Sequence, residues 1–482
     1  MQRTAIQRVL GILLMIISLS MLPPVLVSVW YEDGVMMPFI LAFITTISLG
    51  LMLWFPVRHF RKEMRLRDGF IIVFMYWLVL GLSGSLPLLL SEFPDMSITD
   101  AVFESISGLT TTGATVISGL DGLPKSILYY RQQSQWLGGM GIIVLAVAIL
   151  PMLGIGGMQL YRAETPGPIK DNKITPRIAE TAKALWYIYL GLTIACALAY
   201  WVAGMSMFDA IGHSFSTVAI GGFSTHDLSM GYFQNPAIEM VAVVFMLLAG
   251  VNFSLHFLAW RNMSAKIYFA DAEFQAYLKV LGLVALITCM YLFLTGTFGG
   301  WDSIHNGIFQ AVSIGTTTGF TTAEYHTWPG FLPALLLLAS FIGGCAGSTG
   351  GGMKVIRVLL LLKQGMREVV RLIHPSAQVP VKIGGKVLED RVIDAVWGFF
   401  SLYVGSFIVM ALLLAASGLD LVTSFSAVAA CMNNLGPGLG DVGSYYGGIN
   451  DAAKWVLCFA MILGRLEIFT VLVLLTPAFW RK

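Results

Sequence analysis

The chain has 482 residues, of which 57% are hydrophobic and only 12% charged, with a formal net charge of +2 and a mean hydropathy of +0.78. A soluble domain cannot bury that much apolar surface, so a soluble enzyme is excluded and a polytopic membrane protein is read instead. No nucleic-acid partner is expected.

A spanning helix needs roughly 20 mainly apolar residues. In chain order such runs lie at about 9–30, 36–57, 70–91, 136–160, 184–204, 237–260, 275–298, 331–363, 392–417 and 452–480, giving ten expected spans. The first run is too long for a signal-peptide core and lacks a small-x-small cleavage site, so it reads as a retained span. Basic residues gather in alternate connections: Arg58 to Arg67, Arg162 to Arg177, Arg261 and Lys266, and Lys363 to Arg391, with Arg3, Arg8, Arg481 and Lys482 at the ends. The opposite connections carry Glu32, Asp33, Glu92, Asp95 and Asp121. The positive-inside rule then puts both termini in the cytoplasm. The five cysteines fall in apolar or glycine-rich sequence without C-x-x-C spacing, so neither disulfides nor a zinc site is expected.

Between the spans a small polar strip recurs. "GLTTTGATVISG" (from Gly108), "SFSTVAIGGFSTHD" (from Ser214), "AVSIGTTTGFTTAE" (from Ala311) and, more distantly, "AVAACMNNLGPGLG" (from Ala427) align on Gly113, Gly222, Gly319 and Gly436. Ser107, Ser216 and Ser313 stand six positions earlier in three copies, and Ala430 in the fourth. Each strip follows a short amphipathic segment opening with Asp100, Asp209, Asp302 or Asp420, which suits a helix N-terminus. Irregular backbone at membrane depth is tolerated only inside protein or along a water-filled cavity. Four such strips around one axis make a pore, with carbonyls that replace the water around a cation and glycines that permit the necessary backbone angles.

The eighth run is interrupted by "GGCAGSTGGGMK", Gly343 to Lys354, a stretch too rich in glycine for continuous helix. It is expected to break the span and to cross beneath the strips. Two enzyme-like patterns are refused: Gly347 to Lys354 misses the phosphate-loop spacing and its Ser/Thr, and "GLGDVG" at Gly438 to Gly443 has no dinucleotide fold around it. Arg465 lies within the last apolar run, where a charge is costly enough to suggest function. Glu467, two positions on, points elsewhere on a helix and is a poor local partner. The seven histidines show no metal-ligand spacing.

"GLTTTGAT", "AIGGFSTHD", "TTTGFTT", "NNLGPGLG", "FIGGCAGSTGGGMKVIR" and "GRLEIFT" together resemble the Trk/Ktr/HKT superfamily of potassium transporters, closest to its bacterial Trk-type membrane subunits, over nearly the whole chain. The resemblance implies an all-α polytopic membrane protein: four pseudo-symmetric membrane-pore-membrane repeats around a central pore, plus two N-terminal transmembrane helices. The corresponding segments are 1–67 for the two extra helices and 68–162, 163–262, 263–375 and 376–482 for the repeats. Carried over by position, the K⁺ filter comprises Thr111, Thr112, Gly113, Ile220, Gly221, Gly222, Thr317, Thr318, Gly319, Asn434, Leu435 and Gly436. An intramembrane gating loop comprises Gly344, Cys345, Ala346, Gly347, Ser348, Thr349, Gly350, Gly351 and Gly352, and Arg465 is a pore barrier. The fourth strip departs from the hydroxyl-rich pattern at Asn433, Asn434 and Pro437, so an asymmetric ring is expected.

The function expected is potassium uptake across the bacterial inner membrane through a gated, carbonyl-lined filter. K⁺ is then the transported ion, with no cofactor. The rival is a K⁺ symporter coupled to H⁺ or Na⁺ by alternating access, though the strips lack the ionisable residues such sites usually hold. An intramembrane enzyme would need a nucleophile-base or metal constellation, and neither HExxH nor G-x-S-x-G occurs. The resemblance further implies a homodimer and a cytosolic nucleotide-binding regulatory subunit of the TrkA type, for which the basic loop Lys363 to Arg391 offers a docking surface. Anionic membrane lipid is an alternative partner for that loop.

Overall fold

The computed structural model describes residues 3–59, 66–144 and 178–481. Six helices there are long and apolar enough to cross a membrane: Arg3–Tyr31, Met36–Val57, Arg67–Leu90, Lys183–Val202, Ala272–Leu294 and Asp390–Ala416. Two further pairs, Pro236–Ala249 with Phe253–Arg261 and Asp451–Arg465 with Phe469–Leu475, are bent by 93° and 118° at short breaks. The expectation of unbroken spans at 237–260 and 452–480 is corrected accordingly. In the last pair the turn is made by Glu467 and Ile468, both at positive φ, so Arg465 closes one helix and does not sit inside a continuous one. The eighth run breaks as expected: Leu332–Ile342 is followed by irregular chain and then by Val355–Ile373. Residues 145–160 of the fourth expected span, the basic cluster Arg162 to Arg177, and Arg61, Lys62 and Arg65 lie outside the described residues.

The two N-terminal helices cross where Gly11 meets Gly50; a Cβ at Gly11 would lie 2.8 Å from the Gly50 carbonyl oxygen. Such mutual small-residue contact is how helices approach closely in lipid. Large apolar side chains on the outer face, among them Leu26, Trp30 and Met52, stay exposed, as expected of a surface solvated by hydrocarbon.

Four shorter helices carry the aspartate-opened segments: Ile98–Leu109, Met207–Ala219, Gly300–Gly315 and Leu421–Met432. At 1.5 Å per residue none can cross a bilayer core of about 30 Å. The aspartates act at their N-termini in different ways. Ser97 and Ser206 are the caps that accept the amides of Asp100 and Asp209. Asp420 is itself the cap, accepting from Val422 and Thr423. Asp302 lies in the first turn behind Gly299. Among the described residues the all-helical architecture has one small exception, an antiparallel hairpin pairing Lys382 with Val387 and Ile383 with Lys386. It turns through Gly384 and Gly385 at positive φ. The basic loop expected at Lys363 to Arg391 is therefore largely ordered, as the end of the Val355–Ile373 helix followed by this hairpin.

Candidate permeation site

All four short helices end alike. The residue two before the aligned glycine is left-handed in each copy: Thr111 (φ 53°), Ile220 (54°), Thr317 (70°) and Asn434 (54°). The next amide returns to the carbonyl five residues back, as Thr112 to Ser107 (2.9 Å), Gly221 to Ser216 (2.8 Å), Thr318 to Ser313 (2.8 Å) and Leu435 to Ala430 (2.8 Å). The left-handed residue bonds three back in every copy. This is the Schellman closure of a helix, in which glycine usually takes the left-handed place. Side-chain-bearing residues there cost local strain, repeated four times at one position. The aligned glycines follow, also left-handed, at φ 80°, 78°, 86° and 94°.

The strips close into a ring. A Cβ added to Gly113 would overlap the Gly221 carbonyl oxygen; one on Gly222 would overlap that of Thr318, and one on Gly319 that of Leu435. Gly436 completes the circuit, its added Cβ falling 2.8 Å from the Thr112 oxygen. Each glycine thus abuts the carbonyl just before the glycine of the next repeat, in the order one, two, three, four and back to one. The four predicted sets, Thr111, Thr112 and Gly113; Ile220, Gly221 and Gly222; Thr317, Thr318 and Gly319; Asn434, Leu435 and Gly436, are brought together. The fourth junction is the looser one, and the ring is asymmetric in other respects. Hydroxyl pairs Thr110–Thr112 (2.7 Å) and Thr316–Thr318 (2.8 Å) brace the first and third strips. In the fourth, Asn434 donates to the Thr112 hydroxyl and to the Met461 carbonyl, both at 3.0 Å.

The glycine-rich loop lies against the C-terminal ends of these helices, where the last carbonyls lack helical partners. The Thr349 hydroxyl donates to Val218 C=O (2.9 Å), the Gly352 amide to Asn433 C=O (3.0 Å), and the Gly351 amide to the Thr317 hydroxyl (2.7 Å). Gly351 packs so closely on the Asn433 carbonyl that a side chain there would collide with it, and a Cβ on Gly350 would sit tightly, 3.1 Å from the Thr316 carbonyl oxygen. The loop is held at both ends by one oxygen of Glu273, which accepts the amides of Ala346 (2.7 Å) and Ile356 (3.2 Å). Cys345 bonds Gly250 C=O at 2.8 Å, and the Gly347 carbonyl accepts the Phe253 amide at 3.0 Å. Gly344 and Ser348 sit between, with the Ser348 hydroxyl donating to Cys345 C=O.

Arg465 joins this assembly. Its guanidinium is buried and donates to two neutral carbonyls, Thr349 C=O (3.1 Å) and Gly138 C=O (3.0 Å), while lying 5.7 Å from the centre of the Trp77 ring. Glu467 pairs instead with Arg357, in accord with its expected poor match to Arg465.

The profile of the family described as "TrkH: Cation transport protein" matches residues 36–482. The chain belongs to the TrkH family. It is similar to the Trk system potassium uptake protein TrkH of Vibrio parahaemolyticus, at 59% identity over 485 residues and 100% of each chain. Against the Trk system potassium uptake protein TrkH of Escherichia coli strain K12 it is 54% identical over 479 residues, 99% of each. The crystal structure of the potassium transporter TrkH from V. parahaemolyticus superposes with a TM-score of 0.92 at 57% identity, covering 100% of both chains. Membership makes this a multi-pass transport protein and not an enzyme.

Several structural residues of this TrkH-family site escaped the sequence reading. The helix expected from 136 begins at Lys125, and its polar run Arg131-Gln132-Gln133-Ser134-Gln135 is buried. Arg131 pairs with Glu104 at 2.8 Å and donates to the Ser224 carbonyl (3.1 Å), while Glu104 accepts the Val116 amide (2.9 Å). That ion pair braces the first and second strips from behind. Glu104 stands nine before its glycine, and the same register holds His213 and Gln310, which bond Ser224 (2.9 Å) and Phe320 C=O (3.5 Å). The available signal was a charged or amide residue at one fixed offset inside an otherwise apolar half-helix. A second signal is the set Leu137-Gly138-Gly139, Leu248-Ala249-Gly250, Ile342-Gly343-Gly344 and Leu463-Gly464-Arg465. Gly138 and Gly464 abut the final carbonyls Leu109 C=O and Met432 C=O, and Arg465 replaces the second small residue.

In the connection after the second strip, His226 contacts Asp121 and lies 3.5 Å from Asp209, stacking on Tyr232 at 3.5 Å between ring centroids. Burial disfavours its charge, but hydrogen bonds and charge from Asp209 and Asp121 outweigh this and raise its pKa above 6.5. Asp121 is correspondingly lowered below 3.8, its slight burial overcome by the His226 hydrogen bond. Asp227 accepts the Gly119 amide (2.9 Å), so the connections that follow the first two strips are tied together.

Proposed function

We propose that this chain carries out potassium uptake as the ion-translocating subunit of a Trk-type system, with K⁺ dehydrating at the ring of Gly113, Gly222, Gly319 and Gly436. The observation that carries this reading is the closed circuit of glycines and neighbouring carbonyls, with no ionisable side chain at Thr111 to Gly113, Ile220 to Gly222, Thr317 to Gly319 or Asn434 to Gly436. Carbonyls arranged around one axis are the ligands a partly dehydrated K⁺ requires. The short helices aim the negative ends of their dipoles at the same place. The potassium uptake named for the V. parahaemolyticus and E. coli relatives supports the choice of ion.

On this reading the loop Gly344 to Gly352 is the gate and Arg465 both a positive barrier and the tether that holds Thr349 under the filter. Releasing the tether frees the loop and removes the repulsion together. Transport is driven by the membrane potential, worth about 2.3 kcal/mol per charge per 100 mV. The assignment to the bacterial inner membrane with both termini cytoplasmic, the repeat limits 68–162, 163–262, 263–375 and 376–482 after the extra segment 1–67, a homodimer, and a TrkA-type nucleotide-binding regulator belong to the same proposal.

The test is ion flux in proteoliposomes carrying a K⁺ gradient and no Na⁺ or H⁺ gradient. Passive K⁺ flux that rises in Arg465→Ala supports a gated pore. A requirement for a second ion gradient would overturn it in favour of a coupled carrier.

A further inference from the structure

The ring is built in alternation. The first and third strips carry threonine at both positions flanking the left-handed residue, Thr110 with Thr112 and Thr316 with Thr318, and each pair is hydrogen-bonded. The second strip has Ala219 and Gly221 there, and the fourth Asn433 and Leu435, so neither has a hydroxyl pair of its own. In both even strips a side chain from the preceding repeat's second long helix supplies the missing support. Counting from the small-residue pair shared by these helices, the residue three earlier is Gln135 in the first repeat and Ser340 in the third, but Met246 and Met461 in the others. Ser340 accepts from Asn433 at 3.0 Å. Gln135 does more: its amide nitrogen donates to Gly221 C=O at 2.6 Å, and its amide oxygen accepts the Phe223 N–H at 3.0 Å. One fully buried carboxamide therefore bonds the backbone on both sides of Gly222. It also occupies the space a side chain at Gly221 would need.

We propose that Gln135 is a specificity-determining residue of the filter, a splint that fixes the second strip where a threonine pair fixes the first and third. This rests on the filter reading above. Gly221 C=O is the carbonyl that Gly113 abuts, so a change in its direction alters the ring where two repeats meet. Selectivity among monovalent cations depends on the spacing and field of such carbonyls, and this one is set by a donor that belongs to neither strip. A purely structural role would lower the amount of folded protein; it would not change which ion the remaining channels prefer.

The experiment is a reversal potential under bi-ionic K⁺/Na⁺ conditions, a quantity independent of the number of channels, on the full-length chain in planar bilayers. Gln135→Glu keeps the shape and the acceptor for Phe223 but puts a carboxylate oxygen against Gly221 C=O. Gln135→Leu removes both bonds, and Gln135→Asn, which keeps the amide but is one methylene short, serves if either fails to fold. The K⁺/Na⁺ permeability ratio is expected to fall about tenfold in the glutamate and leucine variants, corresponding to ~1.4 kcal/mol, and by less in Ser340→Ala, which removes one bond. A wild-type ratio in folded Gln135→Glu and Gln135→Leu would overturn the splint. A wild-type protein without cation preference would instead overturn the filter reading on which it stands.

Discussion

Gly113→Ala offers the sharpest perturbation, because the added methyl meets two independent obstacles. The residue is at φ 80°, where a side chain costs about 1–2 kcal/mol. The methyl would also penetrate the Gly221 carbonyl oxygen by roughly 1 Å or more beyond ordinary contact. That oxygen belongs to backbone and is held by Gln135, so it cannot swing aside as a side chain would, and overpacking adds about 1–3 kcal/mol. A total of ~2–5 kcal/mol, placed on the ring itself, suffices to displace a carbonyl pair. Gly222→Ala and Gly319→Ala meet the same two obstacles against Thr318 and Leu435, whereas Gly436→Ala meets Thr112 at a softer 2.8 Å. Gly119→Ala is the control: φ is 75°, but nothing lies within 4 Å. The assay is the bi-ionic K⁺/Na⁺ reversal potential. Loss of K⁺ preference is expected at Gly113, Gly222 and Gly319, with a smaller loss at Gly436 and none at Gly119. Wild-type preference in Gly113→Ala, or a greater effect at Gly436 than at the other three, would refute the reasoning.

Arg131→Met strips the buried Glu104 carboxylate of its cation and is expected to cost about 3–5 kcal/mol, read as a lower unfolding temperature in detergent, with much of the loss recovered in Glu104→Gln/Arg131→Met. Gly351→Ala pushes the loop off Asn433 C=O and should raise passive K⁺ flux through the chain alone; unchanged or lower flux would mean that the loop does not obstruct the path. The His226 clamp should depend on pH. A pKa raised above 6.5 means that its stabilisation is complete below that value and disappears as pH rises through the folded-state pKa. Asp121, lowered below 3.8, contributes above that value and loses its contribution as pH falls through its own folded-state pKa. The protection of the Gly119 amide, which the Asp227 carboxylate holds, measured relative to the intrinsic exchange rate at each pH, should therefore fall as pH rises above 6.5 in the wild type, and this loss of protection should be absent in His226→Gln.

The repeat was legible in the sequence because its constraints are local. A helix closing through a left-handed residue and a glycine leaves a small, polar signature wherever it occurs, so the Thr111–Gly113, Ile220–Gly222, Thr317–Gly319 and Asn434–Gly436 strips align by eye. The break at Gly343 to Lys354 was legible for the same reason: consecutive glycines state their own backbone freedom. What the sequence hid were consequences of neighbours far along the chain. Glu467 and Ile468 look like ordinary helix formers, yet both are left-handed and turn the last span through 118°. Arg131 and Gln135 look like the polar approach to a span, because their partners Glu104, Gly221 and Phe223 are 27, 86 and 88 positions away in sequence and meet them only once the ring has closed. Arg465 was visible as a buried charge, but its bonds to Thr349 and Gly138, which tie the glycine-rich loop to the last helix, required three repeats to be in place.

On the proposed function a permeant cation is bound within the ring of four glycines. The most direct measurement is anomalous diffraction from crystals of this chain grown in Rb⁺. A peak is expected on the axis enclosed by Gly113, Gly222, Gly319 and Gly436, coordinated by backbone carbonyls of the strips and lost in Gly113→Ala. A conducting protein with no peak there, or with its peak at an acidic side-chain site elsewhere, would contradict it.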